Sequence, residues 1–261
     1  MPEGHTIHRR ARDHARWFAG QAVAVSSPQG RFADGATRLD GRIFDGAEAW
    51  GKHLLYRFDP DEPVWVHIHL GLFGKFRMRK NPAPEPRGAV RLRVVGDERT
   101  LDLSGPTCCE LLDADGRAAL FERLGPDPLR ADADPERFVT ALSRRRIPIG
   151  AALLDQKLIA GIGNVYRAEI LFILGIDPEL PARDLGDERA RELWRLTGEL
   201  LRVGVRTDRI ITVEPERTPH RRKRGDRLWV YKRRSCRSCE GPVRSWTLGG
   251  RTMHACASCQ S

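Results

Sequence analysis

Cys236-Arg-Ser-Cys239, then Cys256-Ala-Ser-Cys259 with Glu240 to Ala255 between them, is the stretch that decides how this chain is read. Two Cys-x-x-Cys knuckles at this separation have the spacing of a four-thiolate zinc site. Each knuckle puts two sulfurs on one tight turn. The residues between them suit two short strands joined at Gly249-Gly250. The same cysteines could pair as two disulfides, but nothing else in the chain suggests secretion. The spacing therefore predicts one structural zinc on Cys236, Cys239, Cys256 and Cys259. Closed by four protein ligands, such an ion holds a shape and does no chemistry.

The surroundings of the knuckles are basic. Residues 219–237 read PHRRKRGDRLWVYKRRSCR, and Arg244 and Arg251 follow. The whole chain carries a net charge of +10 with a pI near 9.8. A basic chain with a zinc hairpin points to nucleic acid. A solvated arginine-rich face gives the same composition. Only six of the 45 cationic side chains are lysines, so a single arginine says little and a lysine says more.

At 261 residues, 40% of them hydrophobic, the chain is long enough for two domains and a small module. No stretch reaches the roughly 18 apolar residues of a membrane span. The start, MPEGHTIHRRARDHARW, has no apolar core of a signal peptide. Cys108 and Cys109 are adjacent and poorly placed to pair with each other. These features predict a soluble, reduced, cytosolic protein.

Residues 5–19 read as a helix. Between 20 and 120, short β-type runs (22–26, 42–44, 53–58, 64–70, 75–79, 90–95, 100–103 and 109–112) alternate with Gly, Pro and Asp, as in a sandwich or barrel. LGPDPLRADADPERF, residues 124–138, reads as a linker region. Helical patterns follow over 135–143, 149–155, 164–174 and 185–205, then a loop over 206–226. The reading is a multidomain α+β chain: an N-terminal β-sandwich or barrel with flanking helices (1–123), a linker (124–134), a helical domain (135–224) and the zinc β-hairpin (225–261). No repeat or low-complexity tract interrupts it.

Several residues could carry chemistry. Small Pro2 permits removal of Met1, which exposes a secondary amine with an ordinary pKa near ~8. Amines attack aldehyde-level carbons to form Schiff bases. Met-Pro-Glu is equally an ordinary start, and Glu3 equally a first-turn acid facing a helix dipole. Lys52, in Gly51-Lys52-His53-Leu54-Leu55, could be a solvated strand start. In Ile159-Ala-Gly161-Ile-Gly163-Asn164-Val-Tyr166-Arg-Ala-Glu169, two glycines precede Asn164 and a helical run. That describes a tight turn capped by Asn164, with N–H groups available to a phosphate. A third glycine and a preceding strand are missing, so it is no dinucleotide loop. Leu72 and Phe73, in His69-Leu-Gly-Leu72-Phe73-Gly74, read as core residues or as an apolar wedge in DNA.

Taken together, these motifs and the β-rich, helical and zinc segments closely resemble the bacterial formamidopyrimidine-DNA glycosylase / endonuclease VIII family over essentially the whole chain. The resemblance implies a helix–two-turn–helix domain at 135–224, and a base-excision-repair DNA glycosylase and abasic-site lyase acting on damaged double-stranded DNA. It implies Pro2 as the nucleophile and Glu3 as the catalytic acid. Lys52, Asn164 and Arg251 become phosphate contacts, with Lys52 and Arg251 close to the chemistry. Leu72, with Phe73 beside it, becomes the wedge filling the gap of the extruded base, and Glu169 an acid of the DNA clamp. No catalytic metal or organic cofactor is needed. A monomer, cytoplasmic and nucleoid-associated when acting, is expected.

The match departs in places. The formamidopyrimidine branch carries an arginine-rich loop that reads the cytosine opposite the lesion, where this chain has Leu103-Ser-Gly-Pro-Thr-Cys-Cys-Glu110. Pro-Glu-Gly at the start also fits the endonuclease VIII branch, and hence oxidised pyrimidines. Thr6, preceded by His5, stands where a second acid is common. An 8-oxoguanine/formamidopyrimidine enzyme and a non-catalytic zinc DNA-binding protein of the same fold are the competing readings.

Overall fold

Helix α1 (Gly4–Phe18) forms because Ile7, Ala11, His14 and Phe18 recur at helical spacing and make one buried stripe. In the computed structural model, which describes residues 2–213 and 224–260, the chain divides into two compact units. One holds Pro2 and Ile7–Arg123; the other holds Glu3–Thr6 and the chain from Leu124 onward. Met1, residues 219–223 of the basic stretch, part of the loop expected over 206–226, and Ser261 lie outside the described residues.

The first unit is a β-sandwich. Strands β1 (Gln21–Ala22), β3 (Ile43–Trp50), β4 (His53–Phe58), β5 (Val64–His69) and β9 (Cys108–Leu112) form one antiparallel sheet in the order β1-β3-β4-β5-β9. Strands β2 (Ala24–Ser26), β7 (Val90–Val95), β8 (Arg99–Ser104) and β6 (Lys75–Lys80) form the other, in the order β2-β7-β8-β6. Neither sheet closes, so the barrel alternative falls. Alternate residues of both sheets, among them Tyr56, Phe58, Val66, Ile68, Leu92, Val94, Leu101 and Leu103, share one core with the α1 stripe. Each such side chain contributes about 2 kcal/mol of apolar burial. The opposite face of β4 and β5 carries Leu55 and Trp65, packed on Leu120 of α3 (Ala114–Glu122), and a row of histidines. Helix α2 (Ala33–Leu39) completes the unit.

In the second unit, α4 (Pro135–Leu142) starts on Asp134, whose side chain accepts from the Glu136 N–H, with Pro135 in the first turn. Helix α5 (Ile149–Ala152), buried α6 (Asn164–Ile173) and α7 (Asp187–Thr207) follow. Strands β10 (Val243–Leu248) and β11 (Arg251–Cys256) pair as a hairpin whose Met253, Ala255 and Cys256 join the helical core. The hairpin is therefore not packed as a separate module. Nor does a linker describe residues 124–128: all five are buried, and backbone bonds tie Gly125 to Gln156 and Ala160 to Pro126. Their prolines and aspartate shape a packed turn instead of a tether.

Candidate active site and nucleic-acid interface

Glu3 caps α6 from 160 residues away in the chain. Its Oε2 accepts the Gly163 N–H at 2.8 Å and the Tyr166 N–H at 3.4 Å, and Oε1 accepts the Val165 N–H at 2.9 Å. The carboxylate is fully buried at the positive end of the helix, where negative charge is stabilised. This corrects two expectations. Gly163, not Asn164, occupies the cap position, and these N–H groups hold Glu3 and are not turned to a phosphate. The glycine has a reason: a Cβ on Gly163 would lie 2.5 Å from the Glu3 side chain. The neighbouring Gly4 N–H donates to the Gly161 carbonyl at 2.8 Å, while Gln156 clamps the turn through Leu154, Ile162 and Gly161.

Asn164 turns instead toward the hairpin and donates to the Thr252 carbonyl at 2.8 Å. Its Oδ1 accepts from Arg167 at 2.5 Å. Arg167 is fully buried and also donates to the carbonyls of Gly150 and Leu248 at 2.9 Å and, at longer range, to those of Arg251 and Thr252. Burial pulls its guanidinium down to about 10, which leaves it charged at neutral pH. It grips both sides of the Gly249-Gly250 turn, whose φ values of +62° and +70° suit a two-residue hairpin turn. Arg251 leaves that turn with an exposed side chain. Sequence reasoning missed Arg167 among so many arginines. Its place inside an apolar helical run, three residues after Asn164, was the available signal.

Glu169 is fully buried as well. It accepts from the Thr212 hydroxyl and from the N–H groups of Trp229, Val230 and Tyr231 at 2.7–3.0 Å. Burial pushes its carboxyl up, and these bonds pull the other way. Expected among the DNA contacts, Glu169 instead braces the segment that enters the cysteine knuckles. The sulfurs of Cys236, Cys239, Cys256 and Cys259 lie within 4.8 Å of one another, and none is in a disulfide. That donor set fits a tetrahedral zinc.

Three sequence-predicted residues share one end of the first unit. Lys52, half-buried, sits in the two-residue turn between β3 and β4, and Trp50 pairs with His53 across it. Leu72 (52% exposed) and Phe73 (84%) occupy the β5–β6 turn, so they are not core residues. The register places both turns together: His53 pairs with His69, and His69 with Cys108. Pro2 is half-buried beside Glu3 in the chain.

Comparison with known proteins agrees with this arrangement. Residues 1–107 match the formamidopyrimidine-DNA glycosylase N-terminal domain, and residues 124–215 its helix–two-turn–helix domain. Endonuclease 8 1 of Mycobacterium tuberculosis is 48% identical over 270 residues, covering all of both chains. The chain belongs to the formamidopyrimidine-DNA glycosylase family. It is a DNA glycosylase and abasic-site lyase of base excision repair. Formamidopyrimidine-DNA glycosylase of Thermus thermophilus is 33% identical, covering 100% of this chain and 97% of the relative. The solved structure of the Lactococcus lactis glycosylase with DNA containing an oxidised pyrimidine shares the fold, with a TM-score of 0.83 at 24% identity over the full length of both.

Within this glycosylase fold, strands β8 and β9 are joined by Gly105–Thr107 alone. Gly105 takes a φ of +63°, and the Thr107 N–H donates to the His69 carbonyl at 2.9 Å. The connection is too short to form a protruding loop. Thr6, which stands where a second acid was expected, has its hydroxyl 3.2 Å from Nε2 of His5, and the His5 ring is buried edge-on to Tyr166 at 5.4 Å. Among the described residues, no helix is long and apolar enough to cross a membrane.

Proposed function

We propose that this glycosylase excises oxidised pyrimidines from damaged double-stranded DNA, with Pro2 as nucleophile once Met1 is removed. The amine of Pro2 attacks the sugar C1′ and displaces the base, which leaves as its anion and takes a proton from water. Glu3 accepts the proton that the amine sheds and passes it to O4′, whose bond to C1′ breaks to give the open-chain iminium. The resulting iminium acidifies the C2′ proton. Its loss expels the 3′ phosphate and cuts the strand. Lys52, Arg251 and the second Nδ2 hydrogen of Asn164, whose first is taken by the Thr252 carbonyl, contact the phosphates around the extruded nucleotide. Leu72, with Phe73 beside it, fills the gap left in the stack. The exposure of both apolar side chains on a turn supports that role.

Cys236, Cys239, Cys256 and Cys259 would hold one structural zinc, which supplies shape to the hairpin and takes no part in the reaction. The enzyme acts as a monomer in the cytoplasm, at the nucleoid.

The three-residue β8–β9 connection carries the choice of branch. With no arginines there to pair with the orphan base, discrimination rests on how readily the damaged base unstacks and on the fit of its pocket. Single-turnover cleavage of a lesion panel, each lesion opposite all four bases, tests this. Oxidised pyrimidines should be cut with little dependence on the opposite base, and 8-oxoguanine opposite cytosine poorly. A strong preference for the latter would place the enzyme in the formamidopyrimidine branch.

A further inference from the structure

We propose that β4, β5 and β9 build a second metal site, for a zinc-class divalent cation, from His67, Cys108 and Glu110. The site lies within the first unit and shares no residue with the four-cysteine cluster. Its origin is the sheet register. His67 on β5 is directly opposite Glu110 on β9, and Cys108 stands two residues from Glu110 on the same face. On that face, away from the sandwich core, three adjacent strands also present His53 and His69.

One donor atom from each of His67, Cys108 and Glu110 falls within 4.8 Å of the others. The Cys108 sulfur is 3.6 Å from His67 Nδ1. Tetrahedral zinc with ordinary bond lengths holds a nitrogen and a sulfur about 3.5 Å apart. Glu110 Oε1 lies 2.8 Å from the same nitrogen, and a nitrogen and an oxygen on one zinc need about 3.3 Å. The carboxylate must therefore swing outward by about half an ångström, which a side chain that is 53% exposed can do.

A ligating imidazole needs its other ring nitrogen held by an acceptor, which fixes its tautomer. His53 Nδ1 lies 2.8 Å from His67 Nε2 and fills that role. Its ring stacks on that of His67 with centroids 5.1 Å apart. Nitrogen, sulfur and oxygen together suit zinc better than a hard cation such as magnesium. Three protein ligands leave the fourth position for water or an exogenous ligand.

The test uses the full-length protein with its resident metal content measured first. It is titrated with Zn²⁺ against a chromophoric chelator, and separately with Co²⁺ while thiolate-to-cobalt charge transfer is recorded. One additional equivalent should bind. Cys108→Ala and Glu110→Gln should each weaken it by about tenfold or more, since even outer partners of a metal cost that much. Both variants should keep the resident metal, and the added charge-transfer band should vanish in Cys108→Ala. Glu110→Gln is isosteric and partly exposed, so it keeps the test decisive if Cys108→Ala unfolds. Absence of an additional equivalent in the unmodified protein would overturn the proposal, as would one whose affinity neither variant changes.

Discussion

A carboxylate that accepts three helix N–H groups at once is fixed in position before any substrate arrives, and Glu3 is held this way. Glu3→Gln keeps the size but turns an amide NH2 toward one of those donors. Stability should fall by about 1–3 kcal/mol, the cost of a buried group left unsatisfied, and base excision should fall with it. Urea unfolding beside a cleavage assay checks both, and unchanged stability would show that the cap carries no weight. His14 is a second residue with a readable consequence. Burial, with Arg10 adding, holds it at about 3, and its Nδ1 lies 2.6 Å from the Tyr56 hydroxyl. Between that value and the ordinary 6.5, the unfolded chain takes a proton that the folded one refuses. Stability is therefore complete above about pH 6.5 and declines as pH falls, by up to about 1.4 kcal/mol per unit. From pH 7 to 5 the unmodified protein should lose about 2 kcal/mol more than His14→Asn. Equal losses in urea unfolding would contradict the assignment.

Among the elements, the hairpin depends most on partners far away in sequence. Its inner face lies in the helical core, Arg167 grips its turn, and Glu169 holds the segment before it. Cys256→Ser should release zinc and weaken DNA binding, with the first unit remaining folded. Metal analysis should find one zinc per chain held by the four cysteines; a zinc-free protein purified without chelators would contradict this. The hairpin itself was legible, because Cys spacing and Gly249-Gly250 are local signals. Strands β4 and β7 were legible for the same reason: alternating apolar residues end at turn residues. Helix α2 was not, because Asp34-Gly35 inside its seven residues reads as a turn. The later half of β3 was lost to Asp45-Gly46, which the structure accommodates as a register shift between Phe44 and Gly46. The cap of α6 could not be read locally, since its partner lies near the start of the chain. Helix α3 carried a readable cap in Asp113, which accepts from the Gly116 N–H at 2.8 Å.

At the scale of the whole molecule, no single motif identified the enzyme. The cysteine knuckles specify a zinc site but no activity, and Pro2-Glu3, Gly51-Lys52 and the glycine turn before α6 are each ambiguous alone. Their order along a β-rich half and a helical half made the resemblance specific. The net charge of +10 suits a polyanionic partner, and affinity for it should fall with rising salt, because the counterions that binding displaces then gain less entropy. The proposed branch and lesion rest on a short connection and two exposed apolar side chains, whereas the proposed chemistry rests on the amine of Pro2. Borohydride reduction in the presence of abasic-site DNA tests that amine most directly. Protein beginning at Pro2 should be trapped as a covalent complex, and Pro2→Gly or a retained N-terminal extension should weaken or abolish the trapping. Undiminished cross-linking by protein with a verified blocked N-terminus would contradict the account and move the nucleophile to a lysine, Lys52 first.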